Sequence, residues 1–120
     1  YPKAFTQGCT IEANRFAEAH EDYARLGATV IGVSGDDIET LQRFSVTECR
    51  NKFAVAADSK GRIMKSYEAA MPLSSSYARR ISYVISPDGR IAYAYSSMSP
   101  EQHVPNTLDA VRRWAAAQRR

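Results

Sequence analysis

Apolar side chains recur at helical spacing in four segments of the chain. The first segment is followed by Gly27, which suits the left-handed position just beyond a helix end. The second segment is preceded by Asp36 and Asp37, whose side chains can cap a helix N-terminus. The predicted helices cover residues 9–26, 38–49, 63–70 (a weak pattern) and 100–120.

Strands are predicted between these helices. Residues 28–34 are almost continuously apolar or β-branched, which is typical of a strand buried on both faces. Residues 53–57 predict a second short strand of the same kind. Residues 80–86 and 90–95 predict a hairpin around the turn at 86–89, where proline fixes φ and glycine tolerates positive φ.

The order of these elements predicts the fold class. Residues 71–77 are expected to form an exposed loop, because Pro72 and three serines disfavour regular structure. Alternating strands and helices that end in a hairpin and a helix predict a single α/β domain over residues 1–120, with a mixed central sheet flanked by helices. Residues 1–3 resemble the end of a strand whose beginning is missing, so we expect the domain to be incomplete at its N-terminus.

Composition and charge exclude several classes of protein. Of the 120 residues 44% are hydrophobic, yet the apolar runs are a few residues long, whereas a membrane helix needs roughly 20. The net charge is +3, and the arginine doublets of the second half lack interleaved aromatic residues or a nucleic-acid-binding motif. We therefore expect neither a membrane nor a nucleic acid as a partner.

The chain contains two cysteines, Cys9 and Cys49, and two histidines, His20 and His103. Two cysteines cannot make the disulfide framework of a small secreted domain, and the absence of a CxxC pair gives no zinc signature. The chain shows no secretory h-region, and we expect a cytoplasmic location. Both histidines fall where a structural role is the simplest interpretation, so we assign neither to catalysis.

Cys9 stands at the start of the first predicted helix. The unpaired N–H groups and the dipole of a helix N-terminus favour an anion, so this position is expected to lower the pKa of the thiol and make it a nucleophile. The alternative is a small buried hydrophobic residue, which is what most free cysteines are. The polar turn that precedes the helix favours solvent access and therefore the reactive interpretation.

The residues before Cys9 have the spacing Pro2-x3-Thr6-x2-Cys9. This motif resembles that of the peroxiredoxin family, and the Cys-Thr-x-Glu-Ala run that begins at Cys9 is similar to the Q-type, or bacterioferritin-comigratory, subgroup. Residues 30–36 and 80–85 resemble the second strand of that subgroup and the segment that supplies its active-site arginine. The resemblance begins at Pro2, lacks the family's N-terminal hairpin and first core strand, and implies a thioredoxin-like fold.

The resemblance implies a role for each of five residues. Cys9 would attack the peroxide as a thiolate, and Arg80 would stabilise that thiolate and the peroxide oxygens. Thr6 would position the peroxide, Pro2 would shield the sulfur from water, and Glu12 would orient Arg80. Cleavage of an O–O bond needs a thiolate, donors to both oxygens and positive charge for the leaving oxyanion, and these side chains supply all three.

Two of these assignments have simpler alternatives. Thr6 could merely cap the helix, as threonine often does, and Arg80 could be an ordinary surface charge. Arg79 competes directly with Arg80, since neighbouring residues of a strand point to opposite faces. Only the spacing to Ser82-Tyr83 selects Arg80.

Cys49 is the only internal thiol that could resolve a sulfenic acid formed on Cys9. In the subgroup the resolving cysteine commonly lies five residues after the first, where this chain has Asn14. A second version places it in the next helix, at the position that aligns with Ser45. Cys49 lies one turn further along, so a shifted version of that chemistry is expected, with local unwinding around both cysteines. The alternative is that Cys49 is a buried, inert residue.

The sequence therefore predicts a thiol-dependent peroxidase that reduces hydrogen peroxide and organic hydroperoxides with electrons from thioredoxin. It is expected to need no metal or organic cofactor and to be a monomer or a weak homodimer. Two alternatives stay open. The first is a one-cysteine peroxidase served by an external thiol, and the second is a non-catalytic redox sensor or interaction module of thioredoxin fold.

Overall fold

The computed structural model describes residues 1–71 and 74–118, in which helices and strands alternate up to residue 66 and four successive strands then lead to the last helix. The helices are α1 (Gln7–Glu18), α2 (His20–Arg25), α3 (Ile38–Thr47), α4 (Arg62–Ser66) and α5 (His103–Gln118). The strands are β1 (Ile31–Ser34), β2 (Ala54–Ala57), β3 (Ala70–Met71), β4 (Ser74–Ala78), β5 (Ile81–Ile85) and β6 (Ile91–Ser96).

Local sequence signals explain several of these boundaries. Asp37 caps α3, because its carboxylate accepts a hydrogen bond of 2.7 Å from the backbone N–H of Thr40. Gly27 follows α2 with φ +77°, and Gly89 adopts φ +84° in the turn between β5 and β6. The predicted cap of the second helix, the predicted end of the first and the predicted hairpin are confirmed.

The first predicted helix is divided in two at Ala19. Tyr23 of α2 is buried, and its hydroxyl lies 2.7 Å from Thr107 Oγ and 3.3 Å from the carbonyl of Val104, both in α5. These bonds hold α2 against α5, a tertiary contact that the periodicity of one continuous helix does not reveal. The prediction of a single helix over residues 9–26 was wrong at this point.

The strands form three two-stranded sheets in the described residues. β1 and β2 are parallel, with Ile31 opposite Ala54, whereas β3–β4 and β5–β6 are antiparallel. Parallel and antiparallel pairing are thus both present, but they occur in separate sheets, so the described residues do not form the single mixed central sheet that was predicted. β1 and β5 line the same cavity of about 610 Å³, and neither has a second partner strand among the residues described.

Two sequence predictions about strands need correction. Neither β1 nor β2 is buried on both faces, since Ile31 is 63% exposed and β2 has Ala54 exposed and its other residues half-buried. The predicted loop over residues 71–77 instead contains the end of β3 and most of β4, which pair with each other. Backbone pairing stabilises a strand whatever the intrinsic preference of its side chains, so the serines did not prevent it. Pro72 and Leu73, also in that prediction, lie outside the described residues.

One core cluster joins the N-terminal turn to α1 and α3. Its buried members are Ala4, Ala13, Leu41, Phe44 and Cys49, and Tyr1, Phe53, Val55 and Ala57 pack against them. The rings of Tyr1 and Phe5 lie 5.5 and 5.2 Å from the ring of Phe44. The turn that leads into α1 is therefore held in place by aromatic packing on α3.

Candidate active site

Cys9 lies in the first turn of α1 and is a free thiol. It is 1% exposed, so the expectation of direct solvent access was wrong, and the residue instead lines the cavity that β1 and β5 share. The turn before it contains Phe5 in the left-handed region, with φ +63°. A non-glycine residue in that region is uncommon and costs energy, so the surrounding structure must hold it there. The sulfur is thereby fixed at the amino end of a helix, where an anion is favoured.

The turn is also tied to the end of β1. The carboxylate oxygen Oδ2 of Asp36 accepts a hydrogen bond of 2.7 Å from the backbone N–H of Ala4 and another of 2.7 Å from the hydroxyl of Ser34. The sequence suggested Asp36 only as a helix cap. Its position two residues after the end of a predicted strand is the signal that could have placed it near the turn before Cys9.

Thr6 is the N-cap residue of α1, yet its side chain makes no capping hydrogen bond. Its hydroxyl instead donates to the carbonyl of Lys3 at 2.7 Å and stays within the turn. The alternative that Thr6 merely caps the helix was therefore wrong. Pro2 is half-buried in the same turn, and its shielding of the sulfur stays a prediction.

Arg80 is buried, whereas Arg79 beside it is exposed. The Arg80 guanidinium donates from Nη1 to Glu12 Oε1 at 2.9 Å and from Nε to the carbonyl of Met98 at 2.8 Å. Its Nη2 lies against Gly8, so close that a Cβ added to Gly8 would stand 2.7 Å from it. The structure thus brings Arg80, Glu12 and the residue next to Cys9 together at the amino end of α1.

Gly8 is a site residue that sequence reasoning missed. Its lack of a side chain leaves room for the guanidinium beside the helix backbone. Its place directly before Cys9 in a chain with six glycines carried no signal of this, because the contact comes from a residue 72 positions away. The positively charged guanidinium of Arg80 is consequently held against the residue that precedes the candidate nucleophile, Cys9.

Glu12 lies between two basic side chains and is 7% exposed. Its Oε1 accepts from Arg80, and its Oε2 lies 3.5 Å from Nδ1 of His103. The Glu12 and Arg80 side chains are 9% and 5% exposed, so the ion pair between them is screened little by solvent. The contact expected from the resemblance, with Glu12 oriented toward Arg80, is present.

Cys49 lies beyond the end of α3 and not within it, as the sequence had suggested. The helix ends at Thr47, and the N–H of Cys49 donates to the carbonyl of Phe44 at 3.1 Å. Arg50 and Asn51 follow with φ +53° and +55°, which turns the chain out of the helix. Cys49 is fully buried, and burial raises the pKa of its thiol to about 12, with the charge of Glu48 acting in the same direction.

Asn14 links α1 to the segment that carries Cys49. Its Nδ2 donates to Glu48 Oε2 at 2.9 Å, and its Oδ1 accepts from Arg50 Nη2 at 2.9 Å. At the position where the resemblance commonly expects a resolving cysteine, this chain therefore has an amide that holds the Cys49 segment in place. Both cysteines are free and buried.

Replacement of Cys49 by alanine is expected to weaken the loss of stability at high pH. The buried thiol, with its pKa of about 12 against an ordinary 9.0, keeps its proton where the unfolded thiol has lost it. Its contribution is therefore full below pH 9.0 and declines as pH rises through about 12. Urea unfolding between about pH 8 and about pH 11 measures the slope. Part of the decline in stability with pH is expected to remain in Cys49→Ala, because burial also raises the pKa of Tyr23 to about 12. Equal slopes in the two proteins would contradict the prediction.

The described residues contain no group of three or more His, Cys, Asp or Glu side chains able to hold a metal ion. No helix in the described part of the chain has the length and apolar character needed to cross a membrane.

Comparisons with known proteins agree with this geometry. The model of the AhpC/TSA family matches residues 1–94. A chloroplastic peroxiredoxin Q of Triticum aestivum is 32% identical over 112 residues, covering 92% of this chain and 51% of the relative, and one of Populus jackii is 31% identical over 109 residues. The chain thus spans about half the length of the curated relatives that it matches.

Solved structures give the same result. The crystal structure of the peroxidoxin BcpB from Mycobacterium tuberculosis superposes with a TM-score of 0.86 at 26% identity, covering 94% of this chain and 75% of that one. A peroxiredoxin Q of Xanthomonas campestris gives a TM-score of 0.86 at 24% identity, covering 95% of this chain and 75% of that one. These likenesses confirm the predicted thioredoxin-like α/β fold.

Proposed function

Because the chain belongs to the AhpC/TSA family, and the relatives that it matches are Q-type peroxiredoxins, we propose that it is a thiol-dependent peroxidase in which Cys9 attacks the peroxide. One observation carries the proposal. The buried Arg80–Glu12 pair holds a guanidinium against Gly8, the residue that precedes Cys9 at the amino end of α1. A buried guanidinium against the residue that precedes a free cysteine, at a helix N-terminus, supports the role of that cysteine as the nucleophile.

The first step is an in-line displacement. The Cys9 thiolate forms an S–O bond to one peroxide oxygen, the O–O bond breaks, and its electron pair leaves with the other oxygen as alkoxide or hydroxide. That anion takes a proton and departs as alcohol or water, and the sulfur is oxidised by two electrons to a sulfenic acid. Arg80 supplies the positive charge that the developing oxyanion requires, and the Thr6 hydroxyl lies in the adjoining turn.

The second step needs another thiol. If Cys49 is that thiol, its sulfur displaces water from the sulfenic acid and a disulfide forms, which a dithiol reductant such as thioredoxin then reduces. Cys49 is protonated at neutral pH and buried, so it reacts only after the segment held by Asn14 and Phe44 opens. Local opening of the Cys49 segment is therefore an expected step of the cycle. The proposed substrates of the peroxidase are hydrogen peroxide and organic hydroperoxides.

Intact mass after one equivalent of hydrogen peroxide tests the proposal. A loss of about 2 Da, with a Cys9–Cys49 cross-link by peptide mapping that disappears in Cys9→Ser, establishes the two-cysteine cycle. A gain of about 16 or 32 Da confined to Cys9 establishes a one-cysteine peroxidase instead. No rapid change in mass overturns the proposal. Steady consumption of peroxide with thioredoxin and its reductase separates the enzyme from a redox sensor, which would react once.

A further inference from the structure

His103, to which the proposed cycle gives no role, is fully buried where α5 meets α1, β5 and β6. Its Nδ1 lies 2.8 Å from the hydroxyl of Ser82 and 3.5 Å from Glu12 Oε2. Its Nε2 lies 2.8 Å from the carbonyl of Ser97. The ring also makes an edge-to-face contact with Tyr95, with 4.8 Å between ring centroids, so both nitrogens and the ring itself have partners.

The partners of the ring determine where its proton lies. A carbonyl only accepts hydrogen bonds, so the bond to Ser97 requires Nε2 to carry a hydrogen. Nδ1 is then the atom that faces the carboxylate. In the neutral ring it accepts from the Ser82 hydroxyl, and in the protonated ring it donates to Ser82 or to Glu12. In both states the imidazole limits the positions open to the Glu12 carboxylate.

We propose that His103 is a positioning residue of the peroxidase, acting through Glu12 on Arg80. The chain of contacts is continuous. The ring confines the Glu12 carboxylate, Glu12 holds Arg80 Nη1 at 2.9 Å, and the other end of the guanidinium lies against Gly8, next to Cys9. The inference rests on the proposed function for its effect on rate, whereas its effect on the charge beside Cys9 can be measured without turnover.

Substitution of His103 by leucine removes both ring nitrogens and leaves an apolar side chain to fill the buried position. The rate constant for oxidation of Cys9 by hydrogen peroxide is expected to fall roughly 10- to 100-fold, because displacement of a catalytic group by about 1 Å has effects of this size. The thiolate absorbance near 240 nm is measured against pH, with Cys9→Ser as the reference. Its midpoint is expected to shift upward, because the cation held against Gly8, next to Cys9, is displaced.

Tyr23→Phe is the matched control. It removes a buried hydrogen bond between α2 and the same helix α5, and it does not touch Glu12. It is expected to lower stability but to leave both the rate constant and the absorbance midpoint at their original values. A purely structural role for His103 predicts that the two variants behave alike once both are folded.

The outcomes decide between these possibilities. A folded His103→Leu with an unchanged rate constant and midpoint overturns the proposal, as does an equal change in Tyr23→Phe. If His103→Leu does not fold, His103→Gln replaces it, because glutamine can still donate to Ser97, and a rate loss of about threefold or more with the same upward shift is expected. If the unmodified protein does not consume peroxide, the proposed function fails, and the absorbance midpoints still decide the role of His103.

Discussion

Replacement of Arg80 by methionine is expected to slow the oxidation of Cys9 by hydrogen peroxide by roughly 10²- to 10³-fold, the effect of removing one preorganised donor from a developing oxyanion. The guanidinium is the buried cation at the amino end of α1, and its Nη2 lies against the residue before Cys9. Methionine fills a similar volume without the charge. Stopped-flow measurement of the rate constant at neutral pH checks the prediction.

The same substitution is also expected to destabilise the protein. It leaves Glu12 buried without its partner, and removal of one member of a buried pair costs about 3–5 kcal/mol. The double variant Arg80→Met, Glu12→Gln removes the uncompensated charge, so urea unfolding should show most of the stability restored while the rate stays low. Recovery of the rate in the double variant would show that Arg80 acts only through the fold.

Gly8→Ala offers a control that keeps the charge. The added methyl would stand 2.7 Å from Arg80 Nη2 and must displace it, while alanine within a helix is favoured over glycine by about 1 kcal/mol. The rate is therefore expected to fall without a loss of helix propensity. Gly27→Ala is the matched control with the opposite expected result. A Cβ added to Gly27 would have no neighbour within 4 Å, but its φ of +77° strains alanine, so stability should fall and the rate of Cys9 oxidation should not.

The sequence predicted the elements well where the signal was local. The cap at Asp37, the left-handed Gly27 and the hairpin turn each depend on a few adjacent residues, and all three were confirmed. The split of the first helix at Ala19 could not be predicted in this way, since the reason lies in contacts of Tyr23 with α5, more than 80 residues away.

The candidate site shows the same difference between local signals, which the sequence reveals, and long-range contacts, which it does not. The spacing of Pro2, Thr6 and Cys9 is local, so the motif itself could identify the turn before α1. Which atoms surround Arg80 depends on long-range packing, and neither the gap left by Gly8 nor the Met98 carbonyl has a counterpart in periodicity or spacing.

The segment around Cys49 shows why a helical face is weak evidence for the position of a thiol. The apolar spacing of residues 38–49 continues past the point where the backbone leaves the helix at Thr47. Arg50 and Asn51, which both adopt left-handed backbone conformations, produce the turn. Neither is a glycine, the residue type that would have indicated such a turn in the sequence. The proposed resolving step therefore depends on opening a strained turn and not on unwinding a regular helix alone.

Phe44→Ala is expected to have the largest effect on stability of any single core substitution that bears on both cysteines. Phe44 is 1% exposed, its ring contacts Tyr1 and Phe5 of the Cys9 turn, and its carbonyl accepts from the N–H of Cys49. Truncation of a buried phenylalanine costs about 3–5 kcal/mol through lost burial and the cavity left behind. Urea unfolding of reduced protein measures this loss, and Phe44→Leu, which refills part of the volume, is expected to lose less.

The same variant tests whether local opening limits formation of the disulfide. Phe44→Ala loosens both cysteine-bearing segments, so at low temperature, where it stays folded, the Cys9–Cys49 disulfide is expected to form faster after peroxide than in the unmodified protein. Acid quenching followed by intact mass gives that rate separately from the rate of Cys9 oxidation. If the disulfide forms no faster although stability has fallen, opening of the Phe44 cluster does not precede resolution, and the segment held by Asn14 and Glu48 becomes the barrier to examine.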